Sequence, residues 1–302
     1  MQRTAFKDCM RFPGCGDASN LNAGVDQFFS VMNALIQSGR RPKRLTVDEV
    51  TWRIFTPEKL NQCSMRDVMS TLKEFRLGIG CCDDELPDRE EEIVEEASFM
   101  IRNGVLKTWL GVASELRVLK LIMPMLAGGP AFLRTRDVIP EKTWPKLREL
   151  GLSDFETTEG DLVDLLLRHK ESLRRLSLSH LDLVAGEWES AFRRIGGKLP
   201  KLRKIKLRGS FLESGAPHLH FGIPGEASQD DPMCDTIEEC ILYGGELPDF
   251  SDLLDEEIEW DDSEDGDSYD HESPSRIDEA DAGYTSDGSV VSYSSDEFDK
   301  TI

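Results

Sequence analysis

The sequence predicts an α/β fold of short parallel strands alternating with helices, followed by an acidic segment that does not fold. Three observations point there. A six-residue pattern of apolar, basic, any, apolar, any, apolar recurs six times along the chain. The stretches between the copies carry helical periodicity. The charge is segregated: from Glu246 to Ile302 there are 21 acidic residues against two basic ones, a net charge of −19 out of −22 for all 302 residues.

The copies are Pro42–Val47, Leu72–Leu77, Leu116–Leu121, Leu147–Leu152, Leu173–Leu178 and Leu202–Leu207. Their central apolar residues, Leu45, Phe75, Leu119, Leu150, Leu176 and Ile205, lie 30, 44, 31, 26 and 29 residues apart. Apolar residues at alternate positions turn one face of a strand inward. A single strand cannot bury that face, so neighbours must stack into a continuous core. Most intervals hold one helix; the 44-residue interval demands more, and the register is expected to slip there. Ile237–Leu242 is a weaker candidate for a seventh copy. The pattern is that of a leucine-rich-repeat solenoid over residues 21–245, between a flexible segment 1–20 and a disordered acidic segment 246–302. An ordinary α/β domain with a parallel sheet is the alternative.

The helices follow in order. Val25, Phe28, Phe29, Met32, Leu35 and Ile36 have i, i+3, i+4, i+7 spacing, with Gly39 as a stop. Ser64–Asp67 and Thr158–Asp161 read as capping boxes, the latter opening a helix that buries Leu162, Leu165 and Leu166. Asp88–Arg102 is a helix with an acidic first turn, and a second helix follows Gly104. His169 ends a helix, where histidine is favoured by the dipole, and reads as a cap. Trp188, Ala191, Phe192 and Ile195 mark an amphipathic helix closed by Gly196 and Gly197.

The chemistry-bearing residues are sparse. Seven cysteines, Cys9, Cys15, Cys63, Cys81, Cys82, Cys234 and Cys240, fit no disulfide framework. The N-terminus has no apolar signal region, and the longest apolar run, Leu121–Leu133, is short and contains Pro124 and Pro130. These features predict an intracellular protein, cytoplasmic or nuclear, with reduced thiols and no membrane contact. No P-loop, GxSxG, HExxH or paired CxxC motif occurs. His218, His220, Cys234 and Cys240 come nearest to a metal set, but their spacing matches no common module. No cofactor is expected, and the chain reads as a binding protein rather than an enzyme.

The candidate binding surface is basic. The residue after the first apolar position is Lys43, Lys73, Arg117, Arg148, Arg174 or Arg203 in the six copies, and Arg175, Lys204, Lys206 and Arg208 thicken the series toward its end. Stacked strands would bring equivalent residues to about 5 Å, which is unfavourable without acids or an anionic ligand to offset it. Within Asp249–Asp270, acids interleave with Phe250, Leu253, Leu254, Ile258, Trp260 and Tyr269, a composition typical of interacting segments. That segment is a candidate to fold back on the basic margin. The chain's acidity and the lack of an aromatic–basic platform argue against nucleic acid.

Trp144–Leu152 followed by Asp161–His169, and Ser172–Leu178 followed by Leu183–Trp188, resemble the repeat region of filamentous-fungal F-box proteins. The resemblance covers roughly residues 20–210 and is best from 140 to 210. It implies the substrate-holding part of a cullin-type ubiquitin-ligase adaptor. In that family an F-box grips the small adaptor subunit and the repeats hold the substrate. Residues before Asn20 are too few for an F-box, and Leu86-Pro87-Asp88 is followed by charge, so contact with the adaptor subunit is not implied. Composition supports a second expectation, an acidic-tailed scaffold or chaperone for basic proteins such as histones.

Overall fold

Each of the six motif copies forms a strand, because its alternating apolar residues have a common core to enter. In a computed structural model the described residues are 9–12, 24–60, 64–80, 90–123, 133–213, 216–221, 232–248 and 250. They belong to one unit, Met1–Ile258; a second unit, Glu259–Ile302, lies outside the described residues, and with it most of the acidic segment. The fold is α/β, with one sheet whose strands follow chain order: β1 (Cys9–Phe12), β2 (Arg44–Thr51), β3 (Glu74–Gly80), β4 (Val118–Ile122), β5 (Glu149–Thr158), β6 (Arg175–Ala185), β7 (Lys204–Glu213) and β8 (Ala216–Phe221). The first seven are parallel and alternate with helices; β8 returns antiparallel to β7.

The register follows the motif residue by residue. Leu45, Phe75, Leu119, Leu150, Leu176 and Ile205 are neighbours on consecutive strands, as are Val47, Leu77, Leu121, Leu152, Leu178 and Leu207. No residue in either row is more than 3% exposed. The leading residues Leu72, Leu116, Leu147 and Leu173 are fully buried beside them. Complete burial of one such side chain contributes about 1.5–3 kcal/mol, so two rows of six outweigh any single contact elsewhere.

The helices lie between strands and bury their apolar faces. α1 (Val25–Gln37) buries Val25, Phe28, Phe29, Met32 and Leu35, and the chain leaves it through Gly39 at φ +64°. A 3-10 turn (Trp52–Phe55), α2 (Pro57–Leu60) and α3 (Met65–Met69) join β2 to β3. The 44-residue interval holds two helices, α4 (Glu90–Arg102) and α5 (Val105–Val112), and the expected slip does not occur: Phe75 faces Leu119 and Leu77 faces Leu121. α6 (Thr135–Val138) precedes β5, and α7 (Glu159–Arg168) and α8 (Trp188–Ile195) precede β6 and β7. Thr158 caps α7 by accepting the Asp161 N–H at 3.0 Å, whereas Ser64 makes no such bond at α3. Glu159 ties α7 to α8, accepting from Arg194 and Ser190 at 2.8 Å each.

One expectation is corrected at the end of the sheet. Ile237–Leu242 is not a strand but part of α9 (Pro232–Tyr243). Ile237, Cys240 and Ile241 are buried there at i, i+3, i+4 spacing, the helical rather than the alternating period. The seventh parallel strand is β1, inside the segment expected to be flexible; Met10 pairs with Leu45 and Phe12 with Val47. At the other boundary Leu247 and Phe250, assigned above to the acidic segment, pack against the core, with Phe250 stacked on Phe192 at 6.3 Å. The Cys15, Cys63, Cys81 and Cys82 positions lie outside the described residues. No described helix is long and apolar enough to cross a membrane.

His169 is the C-cap residue of α7, its backbone N–H bonded to the Leu166 carbonyl at 3.0 Å. Its ring is 1% exposed and stacks on Trp144 at 5.4 Å. Nδ1 lies 2.8 Å from the Leu165 carbonyl and Nε2 accepts the Trp144 N–H at 3.1 Å. One nitrogen must donate and the other accept, which only the neutral imidazole can do. Burial accordingly holds its pKa below the usual histidine value, with Arg168 adding to the effect against the Leu165 hydrogen bond.

Two measurements follow from these contacts. Leu150→Ala, at the centre of an inward row, should cost about 2–5 kcal/mol in urea unfolding. The depressed His169 pKa contributes stability that is present above the unfolded value of about 6.5 and is lost as pH falls through the folded one. Urea midpoints of the wild type should therefore decline from about pH 7.5 downward, and His169→Gln should flatten that decline. Parallel curves for the two proteins would show that His169 is not the titrating group.

Candidate functional site

The predicted basic residues fall into two groups. Lys43, Lys73, Arg117, Arg148, Arg174 and Arg203 occupy the entry to consecutive strands and form one column. The carbonyls of the first five each accept two backbone N–H groups from the next entry, at 2.6–3.2 Å; Lys43 O, for example, accepts from Lys73 N and Glu74 N. Arg175, Lys204, Lys206 and Arg208 sit on β6 and β7 and alternate with buried residues, so they face away from the core. The structure thus aligns the first six at the strand entries and puts the other four on the outward face of β6 and β7.

Sequence reasoning missed the rows between the apolar ones, which the period-2 rule could have supplied. One outward row reads Arg44, Glu74, Val118, Glu149, Arg175, Lys204, and the next Thr46, Arg76, Lys120, Gly151, Ser177, Lys206. A third reads Gly78, Ile122, Ser153, Ser179, Arg208.

Acids relieve the like charges, but unevenly. Arg44 pairs with Glu74 at 2.9 Å. Glu149 takes Lys120 at 2.8 Å and Arg175 at 3.5 Å, linking three strands. Burial opposes ionisation of Glu149, yet the Lys120 hydrogen bond and the charges of Lys120, Arg76 and Arg175 hold its pKa below the usual range. Glu115, bonded to Lys146 and near Arg117 and Lys73, is lowered too, mainly by Lys146. The β6–β7 end differs. Arg174, Arg203 and Lys204 are exposed and have no ion pair among the described residues. Glu238 on α9 is one acid near this end, and its Oε1 accepts the Leu207 N–H at 2.9 Å. Burial pushes its pKa up, against that bond and the charges of Lys206 and Arg208. Burial, then Arg208 and Lys204, push the Lys206 pKa down.

The strands turn beyond this face through a left-handed column. Asp154, His180 and Gly209 have φ of +64°, +47° and +69° at related positions of β5, β6 and β7. β7 has one residue more than β6 here, a bulge between the Ser179–Arg208 and Leu181–Phe211 pairs. The His180 ring lies over Gly209, and its Nδ1 accepts the Ser210 N–H at 3.4 Å. A Cβ at position 209 would stand 2.2 Å from that ring, so only glycine fits. Asp154 accepts the Ser153 hydroxyl at 2.5 Å; burial, with Asp182 adding, raises its pKa against that bond and the charge of His180.

Among the described residues no group of three or more His, Cys, Asp or Glu could hold a metal. Cys234 and Cys240 lie on α9, with Sγ atoms 4.0 Å from Leu207 O and 3.6 Å from Gly245 O, and burial raises the Cys240 pKa. A scan of protein-family models finds no match, and comparison with curated proteins and with solved structures finds none either.

Gly209→Ala should destabilise by about 1–2 kcal/mol from the backbone alone, with a further steric cost. His180→Ala in the same chain should recover the steric part and not the backbone part. Additive losses in that double-mutant cycle would show that the ring does not set the glycine requirement.

Proposed function

We propose that this chain is a leucine-rich-repeat solenoid acting as a protein-interaction module, and that it holds its partner on the outward face of the parallel sheet. The observation that carries this reading is the register. Six copies of one motif stand side by side, so their outward residues form unbroken rows at about 4.8 Å per strand. The inward side is filled by apolar side chains, which leaves the outward face as the place where side chains of chosen chemistry can be displayed. Repeat architectures bind through such extended faces. The resemblance of residues 140–210 to F-box repeat regions supports a substrate-holding role in ubiquitin ligation.

The charge of the last 57 residues favours a second reading. With 21 acids and two bases from Glu246 onward, that segment could hold basic proteins such as histones, the sheet serving only to dock it.

Co-purification separates the two. The full chain and a chain ending at Phe250 are each tested with a cullin-ligase adaptor subunit, with core histones and in cell extract. The module reading expects both forms to retain the same partners. Recovery of the adaptor subunit with both would support the ligase role. Loss of every partner on truncation, with histones held by the full chain alone, would replace it with the scaffold reading.

A further inference from the structure

The strand entries form a charged edge of their own. Arg148, Arg174 and Arg203 stand at the entries to β5, β6 and β7, and all three are exposed. Backbone bonds fix their spacing: Arg174 N donates to Arg148 O at 2.8 Å, and Arg203 N to Arg174 O at 2.9 Å. Successive arginines are therefore one strand apart, about 4.8 Å. Lys201 and Lys204, both exposed, flank Arg203. None of these five side chains has an ion pair or hydrogen bond among the described residues.

The acids around this edge are engaged elsewhere or do not reach it. Glu149, next to Arg148 in the chain, holds Lys120 at 2.8 Å and Arg175 at 3.5 Å. Glu115 holds Lys146 at 2.6 Å, and its charge also reaches Arg117, so the column is most offset at β4. Glu171, exposed on the turn before Arg174, makes no ion pair among the described residues. From Lys198 to Arg208 the sequence contains no acid. Glu238 bonds the Leu207 N–H, four residues beyond Arg203 and so about 13 Å along β7. The positive edge at β5–β7 thus rests on positions and partners of named side chains.

We propose that Arg148, Arg174 and Arg203 bind an acidic α-helix of a partner protein, which lies across the strand entries and offers one carboxylate per turn. The period selects the helix. Its side chains return to one face about every 5.4 Å, whereas an extended segment repeats on one side only about every 6.6 Å. From the first arginine to the third, a helix drifts from the column by about 1 Å and an extended segment by about 4 Å. Each guanidinium can donate two parallel N–H bonds to a carboxylate, and an arginine side chain easily spans the smaller drift. Nucleic acid fits less well, because it carries a charge on every nucleotide toward a chain of net charge −22. The inference rests on the protein-module reading and adds to it the chemistry of the partner.

The test uses the full chain and fluorescence anisotropy. The probe is a labelled peptide of about sixteen residues, helical by circular dichroism, with glutamates once per turn on one face and alanine and glutamine elsewhere. A second peptide has the same charge but a central proline that breaks the helix. The proposal expects the helical peptide to bind at about 50 mM salt and more weakly at about 300 mM. The proline peptide should bind at least roughly fivefold more weakly. R174E/R203E should weaken binding of the helical peptide by roughly tenfold or more. R66E/R193E, the same change in net charge on exposed residues of α3 and α8, should bind as the wild type does. Melting curves confirm that each variant is folded. No binding by the wild type, equal binding of the two peptides, an equal loss in R66E/R193E, or tighter binding of a single-stranded oligonucleotide would each overturn the proposal. Those outcomes leave the co-purification result untouched, so the partner's chemistry can fail while the module reading stands.

Discussion

One ladder of backbone hydrogen bonds sets the position of everything else. At each strand entry a carbonyl, from Lys43 through Arg174, accepts two N–H groups from the next entry. The connections between strands differ greatly in length and content, so they cannot by themselves align successive copies. The doubled bond does, because it fixes where each strand begins relative to its neighbour. With the start fixed, the apolar residues two and four positions later fall into rows. A slip of one residue would turn both rows to solvent and bring charge into the core.

That constraint frees the opposite layer to vary. Among the described residues the connections range from α4 and α5, of 13 and 8 residues, between β3 and β4 to the four-residue α6 before β5. Each needs only to cover the sheet with an apolar stripe and satisfy its own polar groups. His169 and Trp188 show two ways of doing so. His169 bridges the Leu165 carbonyl and the Trp144 N–H. Trp188 sends its indole N–H to the Leu212 carbonyl at 2.9 Å, while its backbone N–H reaches Glu213 at 3.0 Å. Both join a helical segment to its surroundings through polar contacts inside an apolar layer, where an unpartnered group would cost about 1–3 kcal/mol.

The same ladder explains why the charge pattern matters. Copying a motif copies its basic residue, and the register then stacks the copies. Glu74, Glu115 and Glu149 offset this in the first half of the sheet, each through an ion pair with a cation. Toward β7, Lys204, Lys206 and Arg208 stand at alternate residues of one strand. The asymmetry is local, carried by a few side chains on two strands, and it is unlike the net charge of the chain, which is strongly negative.

The strands and their register were legible in the sequence, because alternation and a recurring Leu–x–Leu pair are local signals that the core merely satisfies. Leu45 through Ile205 line up as the motif requires, even across the 44-residue interval. The ends were not legible. Cys9–Phe12 lacks the full motif and is a strand because β2 offers it an edge. Ile237–Leu242 resembles the motif but is helical, since its buried residues answer to a 3.6-residue period against β7 and α8. The sequence alone also selected ten basic residues, but not their differences. Whether a cation meets Glu149 or stands exposed on β6 and β7 depends on which residues three strands bring together, and only the tertiary structure decides that.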